Sequence, residues 1–293
     1  MPPSTVLVLG SNGMLGQALV KSIENRGSVC FKIARRDSDL NLDLKNEHAL
    51  TEAIDSTKPD VVFNCAGKVS LLACEEFPAE THAINTKMPQ TAARICDERD
   101  IRFVQISTDH YYSGDGDQKH TESDKVSLGN EYAVSKYQAE RLTLMYTKSL
   151  VVRTNIVGFR RSDRPTFVEW VITNLQAGKP ISLFHDYYTS SIDVRFFSSA
   201  LLDLVDKNVN GLFNLASSEV SSKKSFVEAL AKTFNLGLEC AKAVSINEER
   251  KIMRNNSCGL DVSKAEKIIG YQLPGLKDVI QNLAKEHKHN FKE

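Results

Sequence analysis

The feature that most limits how this chain can fold lies within its first residues. The apolar run Val6-Leu-Val-Leu9 leads directly into Gly10-Ser-Asn-Gly13-Met-Leu-Gly16, and Met14–Asn25 then has helical periodicity. A short apolar run bounded by glycine reads as a buried strand, and GxxGxxG between a strand and a helix is the form of a dinucleotide-binding turn. Glycine permits the tight turn and lets a pyrophosphate approach the backbone N–H groups unobstructed. The helix N-terminus adds a partial positive charge. Gly10, Asn12, Gly13, Met14, Leu15 and Gly16 are therefore the first candidate cofactor-binding residues.

The alternation continues. Segments 29–34, 60–63, 103–106 and 150–153 read as strands, while 47–56, 85–99 and 131–146 read as helices. Strands that are apolar throughout imply a sheet covered on both faces, and alternation with helices implies parallel βαβ units. The expected fold is α/β: a doubly wound, Rossmann-type parallel sheet with a smaller C-terminal substrate-binding lobe. Residues 1–155 are expected to form the nucleotide-binding domain and 156–293 mainly the lobe. In the latter, 166–177, 194–205, 225–234 and 276–286 read as helices, and 181–184 and 211–215 as strands. A segment near 190–215 is expected to return to the Rossmann core. The charged end, 285–293, is expected to fray as a solvated helix terminus.

The turn after the second strand bears on cofactor choice. It reads Arg35-Arg36-Asp37. A guanidinium matches a 2′-phosphate in charge and geometry, which favours NADPH, while Asp37 leaves NADH open. Asp43-Leu44 follows, within reach of an adenine edge.

The chemistry is carried further along. Tyr132-Ala-Val-Ser-Lys136 places a phenol and an ammonium four residues apart, on one face of a helix. A tyrosine with a pKa near ~10 is a poor acid at neutral pH, and a neighbouring ammonium favours the phenolate and lowers that value. Ser107-Thr108-Asp109 follows the 103–106 strand, where a hydroxyl is well placed to hold a substrate carbonyl.

With these motifs in place, the chain resembles an extended short-chain dehydrogenase/reductase, and is most similar to the dTDP-4-dehydrorhamnose reductase family of nucleotide-sugar ketoreductases. The resemblance spans nearly the whole chain. It rests on the glycine loop, Pro59-Asp-Val-Val-Phe-Asn64-Cys-Ala66, Ala83-Ile-Asn85, Ser107-Thr-Asp-His110, Tyr132 to Lys136, Val152-Arg-Thr154 and Gly211-Leu-Phe-Asn-Leu215. It implies Thr108, Tyr132 and Lys136 as catalytic residues. It implies cofactor contacts at Cys65, Ala66, Gly67, Asn85 and Ser107, with Tyr132 and Lys136 also on the cofactor. It implies substrate contacts at Lys68, Thr108, Asp109, His110 and Asn155. The implied activity is NAD(P)H-dependent reduction of the 4-keto group of a nucleotide-linked 4-keto-6-deoxy sugar, in deoxysugar or surface-polysaccharide biosynthesis. Three departures bear on the sugar pocket: His110 and the residues after it, Ala133 where the family usually has glycine, and Cys65-Ala-Gly-Lys68 after Asn64.

Other side chains are read more plainly. Trp170 is expected in the core, and Arg153 and Arg195 as structural or surface arginines rather than diphosphate ligands. Residues 185–188 are read as a loop near the substrate. Six cysteines without a CxxC pair give neither a zinc knuckle nor a disulfide framework, and those in apolar runs, Cys30 and Cys65, read as small buried hydrophobes. No metal site is expected. Lys plus Arg (37) equals Asp plus Glu (37), so no global field draws the chain to nucleic acid or to anionic membranes. No run approaches the ~18 apolar residues that span a bilayer, and no signal peptide is visible. The expected setting is the cytoplasm, with a nucleotide-sugar as the partner molecule and a homodimer left open. Two rival readings follow from the same motifs: a nucleotide-sugar epimerase or dehydratase, and a non-catalytic NADP-binding subunit resembling the regulatory subunit of methionine adenosyltransferase.

Overall fold

The computed structural model describes residues 3–160, 164–249 and 252–291. The chain forms two compact units, and both are discontinuous. The first comprises Met1–Thr108, Leu128–Arg153 and Ser198–Phe213; the second comprises Asp109–Ser127, Thr154–Phe197 and Asn214–Glu293. The division is interleaved, so Asp109–Ser127, inside the 1–155 stretch, belongs with the second unit.

A seven-stranded sheet organises the first unit, in the order Gly211–Asn214, Ser149–Arg153, Arg102–Ile106, Val61–Asn64, Thr5–Leu9, Val29–Ala34, Leu40–Asn41. From Ser149–Arg153 to Leu40–Asn41 every neighbouring pair is parallel. Val6 to Leu9 are fully buried, as a central strand covered on both faces requires. Leu7, Leu9 and Ile33 pack with Leu50 and Ile54 of helix Glu47–Thr57 and with Ala92, Ile95 and Cys96 of helix Met88–Glu98.

Two arginines fasten the returning segment. Arg102 donates from Nη1 to the Val205 carbonyl (3.0 Å) and Asn208 Oδ1 (3.1 Å), and from Nη2 to Val209 and Asn210. Arg26 pairs with Asp203 (2.8 Å) and Asp206 (2.9 Å).

The helix expected over 85–99 begins differently. Ala83–Lys87 forms a π-helical turn and Met88–Glu98 continues as α-helix. Pro89 has no N–H to donate to the carbonyl four residues earlier, so the preceding turn widens. The helix expected to reach 146 ends at Thr143.

The second unit contains short strands: a four-stranded sheet (Ser221–Ser222, Tyr188–Thr189, Ser257–Leu260, Lys119–His120) and two strand pairs. Its core joins Val168, Val171 and Leu175 of helix Phe167–Gln176 to Phe226 and Leu230 of helix Lys223–Phe234 and Val279 and Leu283 of the last helix. Trp170 is not in that core and is 41% exposed, because the buried stripe of its helix runs through Val168, Val171, Ile172 and Leu175. Arg195 lies 3.5 Å from the buried Glu286, and His287 packs against Phe159 and Phe234. These contacts dock part of the tail expected to fray; Lys292 and Glu293 lie outside the described residues. All six cysteines are free thiols; Cys74, Cys96 and Cys258 are buried, whereas Cys30, Cys65 and Cys240 are only partly so, although the Cys65 thiol itself is enclosed. Among the described residues no helix is long and apolar enough to cross a membrane.

Candidate active site

The glycine loop is a cradle whose three glycines do different work. Gly10 has φ +79° and its N–H donates to the Ile33 carbonyl at 2.8 Å. A Cβ there would lie 2.7 Å from the Ala66 nitrogen, so the loop needs glycine to lie against the turn after strand Val61–Asn64. A Cβ on Gly16 would lie 2.3 Å from the Gly10 carbonyl oxygen. Gly13 is under no such demand: its Cβ would meet only that oxygen, at 3.4 Å. Gly13 is the N-cap of helix Met14–Asn25, where no side chain caps the end and no acid occupies the first turn. The N–H groups of Met14, Leu15 and Gly16 therefore face an uncapped, partially positive helix end suited to an anion.

Asn12 donates to the Arg36 carbonyl at 2.6 Å and so ties the loop to the Arg35–Arg36–Asp37 turn, whose three side chains are exposed. Asp43 is exposed and accepts from the Lys45 N–H at 3.0 Å, while Leu44 packs on the hydrophobic core.

Beyond strand Val61–Asn64, Asn64 fixes the turn by donating to Gln105 (2.8 Å) and accepting from the Ala66 N–H (3.1 Å). Cys65 donates its N–H to the Leu9 carbonyl at 2.9 Å, and burial pushes its thiol up to about 12. Asn85, in the π-helical turn, accepts from the Lys68 N–H and donates to the Lys68 carbonyl and to Ser135 Oγ. The Lys68 ammonium bonds Glu80 at 2.5 Å and lies over the Phe77 ring.

Helix Glu131–Thr143 carries Tyr132 and Lys136. Its start is fixed by the Asn130 side chain, which accepts from Ala133 N–H at 2.9 Å. Ala133, where the resembled family usually has glycine, is fully buried. Tyr132 is half-buried and Lys136 is 7% exposed. Lys136 donates to the Ile106 carbonyl at 2.6 Å, two residues before Thr108, which is itself buried. Burial pulls the Lys136 ammonium down to about 8, against the opposing fields of Glu140 and Cys65. Helix Glu131–Thr143 and the strand end before Thr108 are thereby joined at Lys136. Ser107 donates to Glu140 Oε1 at 2.5 Å, and Glu140 is held by Arg153. Arg153 is thus engaged by Glu140, as expected of an arginine that does not hold a diphosphate.

A second polar cluster lies within the second unit. Asn155 donates to Asp109 Oδ2 (2.8 Å) and accepts from Ser191 Oγ (2.8 Å). Lys223 donates to Ser191 Oγ at 3.3 Å and sits over the rings of Phe167, Tyr187 and Phe226. Burial pulls Lys223 down to about 8, with Asp109 opposing. Tyr187, from the 185–188 segment, hydrogen-bonds His110 Nε2 at 3.2 Å. Burial, then Lys223 and Arg254, pull His110 down to about 4, so it is neutral at physiological pH.

Glu140, Ser191 and Lys223 are among the members of these clusters that the sequence reading did not point to. Glu140 had a signal, since it extends the Tyr132–Lys136 spacing by one more turn. Lys223 had none, because Lys223-Lys224 opening a helix resembles a solvated end.

The sequence matches the family described as RmlD substrate binding domain over residues 4–289. A probable low-salt glycan biosynthesis reductase, Agl14 of Haloferax volcanii, is 27% identical over 92% of this chain and 94% of its own length. A dTDP-4-dehydrorhamnose reductase of Streptomyces griseus is 29% identical over 50% of this chain and 48% of that protein. The dTDP-4-dehydrorhamnose reductase of Bacillus anthracis, solved in complex with NADP, shares the fold with a TM-score of 0.88 at 20% identity, covering 98% of this chain and 100% of that one.

Proposed function

This chain belongs to the RmlD substrate binding domain family, and on that premise we propose that it reduces the 4-keto group of a nucleotide-linked 4-keto-6-deoxy sugar. It is an oxidoreductase of sugar nucleotides, with NADPH as cofactor and NADH as the alternative. The observation that carries the reading is the Lys136–Ile106 bond, which fastens the Tyr132 helix to the strand end preceding Thr108.

The glycine cradle fits a dinucleotide. Gly10 and Gly16 are required by the protein's own packing, whereas the space over Gly13 is left open beside an uncapped helix end. The N–H groups of 14–16 would hold the pyrophosphate, Arg35 and Arg36 a 2′-phosphate, and the 65–67 turn with Lys136 the nicotinamide end. A bound reduced nicotinamide supplies hydride.

The chain's own residues supply the rest. Thr108 donates a hydrogen bond to the ketone oxygen. Tyr132 gives that oxygen a proton as negative charge develops on it, and Lys136 holds the phenol in its working range. Asp109, His110 and Asn155 contact the sugar.

Absorbance of NADPH, followed with dTDP-, GDP-, CDP- and UDP-linked 4-keto-6-deoxy sugars, tests this directly. At least one sugar should drive oxidation. No oxidation with any, together with co-purification of a partner enzyme, would replace the reading with a regulatory one. Interconversion of sugars without net oxidation would make it an epimerase.

A further inference from the structure

We propose that Glu140 and Arg153 are positioning residues that keep Lys136 charged and tethered, and that their ion pair sets the alkaline limit of activity; this rests on the role given to Tyr132 and Lys136 above. Tyr132, Lys136 and Glu140 follow one another at four-residue intervals along one helix face. Glu140 is 1% exposed and Arg153 3%. The guanidinium binds the carboxylate through Nε (3.1 and 3.2 Å) and Nη2 (2.8 Å).

Burying such a pair costs desolvation that an apolar pair would avoid, so its presence points to a role beyond packing. Its surroundings indicate which. Glu140 Oε1 also accepts from the hydroxyl of Ser107, the residue before Thr108. The Ser107 N–H donates to the Val152 carbonyl at 2.7 Å, next to Arg153. One carboxylate therefore holds the end of strand Arg102–Ile106, the end of strand Ser149–Arg153 and the helix of the Tyr–Lys pair in one arrangement.

The same carboxylate lies one turn from Lys136. The groups acting on that ammonium are Glu140 on its own helix, the Ile106 carbonyl from the sheet, and Cys65 from the turn after strand Val61–Asn64. Burial drives the ammonium toward its neutral form, and Glu140 is the largest opposing influence. A neutral lysine stabilises no phenolate. Arg153, by sharing the charge of Glu140, sets how strongly that charge acts on Lys136.

The two members of the pair should consequently act in opposite directions. Glu140→Gln removes the favourable charge and leaves Arg153 uncovered. The alkaline limb of kcat/KM should move to lower pH, by about one unit. Arg153→Met removes the cation that offsets the Glu140 carboxylate, and the limb should move to higher pH. Should Arg153→Met fail to fold, Arg153→Lys keeps a cation with fewer donors and should give a smaller shift of the same sign. Both limbs unchanged, or both moved the same way, would reduce the pair to a structural one and overturn the proposal. Trace acetylation of Lys136, quantified by mass spectrometry across pH, reads its ionisation without any sugar and should show the same opposite shifts. If it does while no sugar is reduced, the assigned activity falls and the positioning role stands.

Discussion

Asn85 closes both ends of its side-chain amide on the backbone of one residue: Oδ1 accepts from the Lys68 N–H at 2.7 Å and Nδ2 donates to the Lys68 carbonyl at 2.9 Å. The amide thus does for an isolated loop residue what a neighbouring strand does in a sheet. It also donates to Ser135 Oγ at 3.1 Å, beside Lys136. The widened turn ahead of Pro89 contains this amide. Replacing Asn85 with Ala should leave the half-buried Lys68 N–H without its partner and cost about 1–2 kcal/mol. Thermal unfolding should report that loss, and titration with NADPH should show weaker binding. An unaltered melting temperature would mean that the loop holds itself.

The glycine loop separates packing from ligand binding. Gly16→Ala places a methyl group 2.3 Å from the Gly10 carbonyl oxygen and should lower stability as well as cofactor affinity. Gly13→Ala meets nothing closer than 3.4 Å. It should cost no more than about 1 kcal/mol as an N-cap change, yet weaken NADPH binding at least tenfold. Calorimetry and NADPH titration on the two variants together check this. Equal loss of stability in both would show that Gly13 is also a packing residue.

On the proposed mechanism, Tyr132→Phe removes the proton donor while the ring remains. Turnover should fall by about 10²–10⁴, with NADPH affinity within about twofold. Stopped-flow absorbance at saturating NADPH gives the first figure and fluorescence titration the second. Retained turnover would move the acid to another group.

His110 links stability to acid. Its folded pKa is depressed, from 6.5 to about 4, so the unfolded chain takes up the proton first as pH falls. Stability is then lost between about pH 6.5 and 4, by about 3 kcal/mol from this group in full. His110→Gln should lose less stability over that interval than the parent protein. Urea unfolding of both at pH 7 and 4.5 measures the difference, and parallel losses would exclude His110 as the source.

The sequence revealed the first unit far better than the second, for a physical reason. A parallel strand buried on both faces is apolar throughout, so Val6 to Leu9 announce themselves locally. The second unit is held by two-residue strands such as Lys119–His120 and Ser221–Ser222, whose pairing partners lie far along the chain. Nothing local marks them. The site divides similarly. Tyr132, Lys136 and Thr108 could be proposed from the sequence because the chemistry proposed for them depends on spacing and strand-end position. The attachment of Asn85 to Lys68, of Glu140 to Arg153, and of Lys223 to Ser191 depends on contacts that only folding creates. Trp170 was misplaced because its size suggests burial while its position on the helix does not.

The sheet edge beside Ser149–Arg153 is filled by Gly211–Asn214, a strand made some sixty residues later. A ribosome adding about 5–20 residues per second leaves that edge open for roughly three to twelve seconds. During that interval the nascent chain presents an unpaired row of amides and carbonyls, the surface on which strands from other chains can add. Translation speed between these two strands therefore governs how long each new molecule is exposed to aggregation.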